Sequence, residues 1–305
     1  MAINEQLRRR LNALEEERAA RNPNAPAQAA LDVTAPRPRA DIDDPNVASA
    51  IEQALGAKGL VLLPPGRFRA TPSLSWSTAE SGDAFALGIS VDMGLPAGMM
   101  LSARIPYVHR DSTAGSNTGV GDAGIALSKK LMNETATAPA LVARLGYTHN
   151  NGKDPFSPVP IGSGFRAVDA GLSAYKRFDP LVLYGNVFFA HAFDRPVVVP
   201  APGGGTAFTG AIAPGNTRGI GMGVSLAATP EISLDAGASM SYSPGTRISP
   251  TSGVSIMTPS AKVGFLTFGT SILIKRNLLL SLSVGAGLTK QSSDSVFSLA
   301  LPYTF

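Results

Sequence analysis

From Arg67 to Phe305 the apolar residues fall on every second position, in segments of roughly ten residues separated by turn formers. A period of two belongs to strands with one apolar face, not to helices. RFRATPSLSWS sets Phe68, Leu74 and Trp76 against Arg67, Arg69, Thr71, Ser73, Ser75 and Ser77. ISLDAGASMSY sets Ile232, Leu234, Met240 and Tyr242 against Ser233, Asp235, Ser239 and Ser241. Twelve such segments are predicted, at 67–79, 83–95, 99–109, 120–131, 138–149, 165–178, 181–193, 218–229, 231–243, 260–274, 278–290 and 296–305. A tilted strand needs about 9–11 residues to cross a bilayer, which each segment supplies.

The joints alternate in length. LPAG, MNETATAP, FDPL, TPE and KRN are short, whereas HRDSTAGSNTGV, NNGKDPFSPVPIGSG, the stretch at 194–217 and SPGTRISPTSGVSIMTP are long and polar. Short turns on one side and long loops on the other predict an all-β transmembrane fold, a twelve-stranded antiparallel outer-membrane β-barrel with both barrel ends on the periplasmic side. No apolar run approaches the roughly 18 residues of a spanning helix. Tyr107, Tyr147 and Phe189 near one end of the strands, and Tyr303 and Phe305 at the other, predict two aromatic girdles. A soluble β-sandwich is the competing architecture, and it would hide the apolar faces in a core. The absence of cysteine suits the bacterial envelope, and a net charge of +4 without a basic-aromatic cluster argues against nucleic-acid binding.

Three zones precede the barrel, which occupies residues 67–305. Residues 1–20 read as a coiled-coil helix with Leu7, Leu11 and Leu14 on its seam, too short to stand without a partner. Residues 21–44 form a Pro/Ala-rich linker. Residues 45–66 read as a short helix and its lead-in, with Asp44 as N-cap, Pro45 at the first position and Gly56 closing the helix at 55. The stripe Val47, Ile51 and Leu55 needs cover, and Glu52, with Asp43 or Asp44, is expected to meet Arg67 and Arg69 inside the barrel, making this helix a plug. MAINEQLRRRLNALEEER shows no apolar core of about 7–15 residues followed by an A-x-A site, so no secretory signal is recognised.

With the apolar face turned to lipid, Arg67, Arg69, Asp92, Arg104, Asp122, Lys130, Arg144, Asp169 and Asp235 are the expected pore-lining residues. Twelve strands tilted by about 40° enclose a backbone diameter of about 24 Å, roughly half of it free, enough for one helix. His109, His149 and His191 sit at the outer ends of next-but-one strands, ~10 Å apart, too far to share one metal ion. They face outward, and no carboxylate is expected to orient them, so neither a cofactor nor an enzyme activity is predicted. Phe297, Leu299, Leu301, Tyr303 and Phe305 form the lipid face of the last strand and are read as the assembly signal for the barrel-assembly machinery.

PPGRFRATPSLSWS, GSGFRAVDAGLSAYKRFDPLVLYGNVFF and LLLSLSVGAGLTKQSSDSVFSLALPYTF resemble the outer-membrane secretion channel of the functional-amyloid (Fap) system of pseudomonads. They are also similar to related barrels named for phenol meta-pathway degradation. The resemblance spans nearly all of residues 45–305 and implies a homotrimer of plugged barrels that export an unfolded amyloid polypeptide. Two departures from the resemblance are an amino-terminal segment shorter than it leads one to expect and the long loop at 194–217, which it does not account for. The expected function is therefore a plugged export channel in the outer membrane, embedded in lipid and lipopolysaccharide, with its N-terminal segment in the periplasm. The alternatives are a porin-like uptake channel for small, including aromatic, solutes and a structural or adhesive surface barrel.

Overall fold

The computed structural model describes residues 50–200 and 206–305. The coiled coil with Leu7, Leu11 and Leu14, the linker at 21–44, and Val47 with the start of the plug helix lie outside the described residues.

Among the described residues the chain forms one short helix and a closed antiparallel barrel. The helix, α1, is Ala50–Ala57. The strands are β1 (Phe68–Ala79), β2 (Gly82–Leu95), β3 (Met99–Ser112), β4 (Gly115–Val120, resuming as Gly124–Met132), β5 (Ala140–Thr148) and β6 (Ala167–Phe178). They continue with β7 (Leu181–Ala192), β8 (Thr217–Ala227), β9 (Ile232–Ser243), β10 (Ala261–Lys275), β11 (Leu278–Gly287) and β12 (Ser295–Ala300, resuming as Tyr303–Thr304). Each pairs with its sequence neighbour, and β12 pairs with β1 to close the ring. The 14 paired segments make twelve staves, because β4 and β12 are each interrupted once.

Cross-strand partners share a face, so the register fixes what points outward. Trp76 faces Phe85 and Phe85 faces His109; Leu74 faces Leu87 and Leu87 faces Tyr107. These rows, with Leu145 at 62% and Met222 at 61% exposure, present large apolar side chains to the outside. The intervening rows, such as Asp92–Ser102–Ala126, turn polar and small residues inward. A β-sandwich does the reverse, and an outer apolar wall of this extent suits lipid. Tyr107, Phe189 and Phe305 stand outward near the two rims, as the girdle reading expects.

The seam between β12 and β1 is the place where the ring closes. Phe297 lies opposite Trp76 and Leu299 opposite Leu74. At the break in β12, the Leu301 amide donates to the Pro72 carbonyl at 3.0 Å, while Pro72 has no N–H to return. Pairing resumes beyond it: Tyr303 lies opposite Ala70, the Phe305 amide donates to Phe68 O at 2.8 Å, and the Tyr303 and Phe305 rings meet edge to face at 4.7 Å.

Three connections differ from the sequence expectation. HRDSTAGSNTGV, read as a loop, is instead a hairpin that extends β3 and β4, pairing Tyr107 with Val120 through Ser112 with Gly115. Its Thr, Asn and Ser residues accept extended backbone, and only Gly115 (φ 122) carries the turn strain. The long loops after β7 and β9 supply Arg195–Pro200, Thr206–Ala213, Arg247–Pro250 and Ile256–Met257, which pair into a separate four-stranded sheet. These strands are too short for periodicity to reveal them.

Because the last paired residues bridge a seam already weakened by Pro72 and Pro302, removal of Phe305 is expected to lower the yield of folded barrel several-fold. The fraction migrating as the compact, heat-resistant form in unboiled gels of outer membranes measures this; an undiminished fraction would remove Phe305 from the assembly signal.

Candidate functional site

AIEQALGA is built from strong helix formers, and its end is set by chemistry one turn later than the sequence suggests. Gly56 lies within α1. The left-handed residue is Gly59 (φ 72), whose amide bonds Gly56 O at 2.9 Å while the Leu60 amide bonds Leu55 O at 2.9 Å. This pair of bonds is a Schellman cap, completed by packing of Leu55 against Leu60.

The cap turns α1 and its continuation into the short-turn end of the lumen. Leu55 and Leu60 are buried among Ala140 of β5, Tyr175 of β6 and Val182 of β7. Ala50 and Ala54 pack on Leu279 of β11 and Leu273 of β10. The Ala50 amide donates to Pro230 O, in the turn between β8 and β9, at 2.9 Å. Burial of the two leucines contributes up to about 1.5–3 kcal/mol each.

Charge fixes the same segment from two sides. Glu52 pairs with Arg177 of β6 at 3.5 Å, and Arg177 also meets Glu134 at 3.4 Å. Lys58 pairs with Asp235 of β9, and its ammonium lies 3.1 Å from the Tyr184 hydroxyl of β7. The expected meeting of Glu52 with Arg67 and Arg69 does not occur. Arg67 is exposed just before β1 and does not border the chamber above, and Arg69 is taken by Asp92 at 2.7 and 3.0 Å in a buried pair. Gly56 instead lies against Arg69, where a Cβ would come within 2.8 Å of the guanidinium.

Above this level lies a chamber of about 250 Å³. Five predicted pore residues line it: Arg69, Asp92, Arg104, Arg144 and Asp169. Arg144 and Asp169 pair across β5 and β6 at 3.5 Å, and Ser102 donates to Asp92 at 2.6 Å. Asp235 faces inward but is occupied by Lys58, and Lys130 faces inward by register nearer the short turns. Asp122 does not border this chamber. It sits in the break of β4 and accepts from the amides of Gly152 at 2.8 Å and Ser163 at 2.6 Å, tying down the loop after β5. That loop folds onto the lumen side of the β3–β4 hairpin: Asn117 donates to Val159 O at 2.9 Å and Arg110 to Pro160 O at 3.0 Å.

Lys58, Arg177, Glu134 and Tyr184 were not foreseen as site residues. The inward parity of Arg177 and Tyr184 on their strands was available as a signal; the pairing of Lys58 with Asp235, far apart in sequence, was not.

The histidines face outward as expected, but one is oriented by a carboxylate. His109 Nε2 meets Asp111 at 2.8 Å and its Nδ1 meets Thr118 at 2.6 Å, with the acid and hydroxyl on the opposite nitrogens from a hydrolase triad. His149 meets the Tyr147 hydroxyl at 3.1 Å and His191 meets Asn216 at 2.7 Å.

No protein-family model matches the sequence. Among solved structures, an outer membrane channel from Pseudomonas putida F1 is similar over 80% of this chain and 97% of its own, with a TM-score of 0.66 at 14% identity. The chain has the fold of an outer-membrane channel. The NanC porin aligns with 78% of this chain and 98% of its own at TM-score 0.46 and 7% identity. The transport unit of the autotransporter AIDA-I from Escherichia coli aligns with 86% and 99% at TM-score 0.46 and 14% identity.

Within this barrel the Arg69–Asp92 pair is buried to 6% and 12% side-chain exposure, so losing one partner strands a charge. Asp92→Ala is expected to destabilise the refolded barrel by about 3–5 kcal/mol, while the joint change Arg69→Met with Asp92→Leu stays near wild type. Urea unfolding followed by the fluorescence of Trp76, the single tryptophan, reads both.

Proposed function

We propose that the protein is a gated outer-membrane channel in which α1, with Lys58 and Leu60, closes the periplasmic mouth. The seating of Leu55 and Leu60 among inner-wall residues of three strands carries this reading. The wall behind the helix supports reversible closure. α1 packs against β8–β11, and there Ser225 and Ser233 are fully buried with hydroxyls that have no partner among the described residues. An orphaned buried hydroxyl costs about 1–3 kcal/mol, a cost relieved when water enters. The wall is thus better suited to an open, wet lumen than to a sealed one.

In this reading the short turns and the N-terminal segment face the periplasm, and the long loops face lipopolysaccharide and the medium. The cargo follows from the sequence resemblance: an unfolded polypeptide of amyloid type, for which a wall rich in Ser, Gly and Thr offers little to adhere to. Uptake of small solutes is the second reading, favoured by the charged chamber of about 250 Å³. Outward-facing histidines give no reason to assign a reaction. The trimer of the resemblance would be held by Leu7, Leu11 and Leu14, and changing all three to Ser is expected to abolish most crosslinked trimer in membranes.

A barrel lacking residues 1–61 should assemble and show single-channel conductance in planar bilayers several-fold above that of the full chain. Equal conductance would place the closing element elsewhere and end the gating proposal.

A further inference from the structure

The chamber above α1 has a charge left over. Four cations border it: Lys58, Arg69, Arg104 and Arg144. Asp235, Asp92 and Asp169 take three of them. Arg104 has no ion-pair or hydrogen-bond partner among the described residues, and it is open to the chamber.

The position of Arg104 is built, not incidental. The register sets Ser90 of β2, Arg104 of β3, Gly124 of β4 and Thr148 of β5 in one inward row. The guanidinium lies across Gly124, where an added Cβ would come within 3.1 Å of Nε. Glycine thus leaves the planar group flat against the wall with its edge free. Ser90, opposite Arg104, and Thr148, two strands away, border the same chamber, so hydroxyl donors share it with the unmatched cation.

We infer that Arg104 is the anchor of a binding site for small organic monocarboxylates inside the channel. A guanidinium with a free edge takes a carboxylate through two parallel N–H···O bonds, a geometry that a spherical anion cannot use. One unmatched charge specifies a monoanion. A chamber of about 250 Å³ specifies a small one. The pairing of Arg69 and Arg144 with their own aspartates keeps them from competing for it. The site deepens the small-solute side of the channel reading and rests on that reading only for its biological use, because binding does not require conductance.

Titration of potassium butyrate into the full-length protein, refolded in detergent micelles and followed by calorimetry at constant ionic strength, tests the site. Saturable binding is expected, weakened at least about tenfold by Arg104→Gln, the loss of one charge-assisted pair. Gly124→Ala, which keeps the arginine but crowds it, should weaken binding as well, and Arg67→Gln, which does not border the chamber, should not. Heat-resistant migration confirms that each variant is folded. Absence of saturable binding, or equal binding by Arg104→Gln, overturns the site. Displacement by an equal concentration of chloride would mean a general anion site and overturn the carboxylate assignment. Butyrate binding by a chain whose truncated barrel fails to conduct would sink the channel reading while leaving this one intact.

Discussion

Backbone pairing at the seam between β12 and β1 is the constraint on which everything else rests. In hydrocarbon an open sheet edge leaves a column of N–H and C=O groups without water, at several kcal/mol for each unsatisfied group. Closure removes that cost, and it also determines which side of every strand meets lipid. Once Phe297 stands opposite Trp76 and Leu299 opposite Leu74, the outward parity propagates strand by strand around the ring. The inner wall is whatever remains, and the helix, the ion pairs and the chamber are consequences of that remainder.

The interior combines two kinds of contact with opposite dependence on water. Leu55 and Leu60 gain from its exclusion. Ser225 and Ser233 lose by it, and the ion pairs of Lys58 and Glu52 weaken or persist according to how much of it is admitted. A segment held this way sits in a shallow balance. That differs from the Arg69–Asp92 pair, which is buried, doubly hydrogen-bonded and part of the wall itself.

Most of the barrel was legible because period two is a direct image of the pleat. Each predicted strand from β1 to β12 was found, and the errors lie at ends where periodicity stops: HRDSTAGSNTGV became hairpin, and the loops after β7 and β9 became a second sheet. The inward set Arg69, Asp92, Arg104, Arg144 and Asp169 followed from parity alone. Asp122 stands apart from that set because the interruption of β4 frees it from parity and the loop after β5 takes its carboxylate. The partner of Glu52 was misread for a different reason. Tethering to β1 suggested that Glu52 would meet Arg67 and Arg69, but it is Gly56, one turn on, that lies against Arg69, and Glu52 reaches Arg177 of β6. Gly56 looked like a cap because the sequence shows glycine and not φ; the close approach of Arg69 explains it.

The stretch from Lys58 to Arg67 joins α1 directly to β1. Roughly ten residues extend at most about 35 Å, so a displaced helix remains within one barrel length of its seat. Return is then an intramolecular encounter, at an effective concentration on the order of millimolar, and does not depend on how many copies the membrane holds. Under the gating proposal a short leash of this kind would make closure the kinetic default: whatever opens the mouth would have to keep occupying it, and the pore would reseal when the occupant leaves.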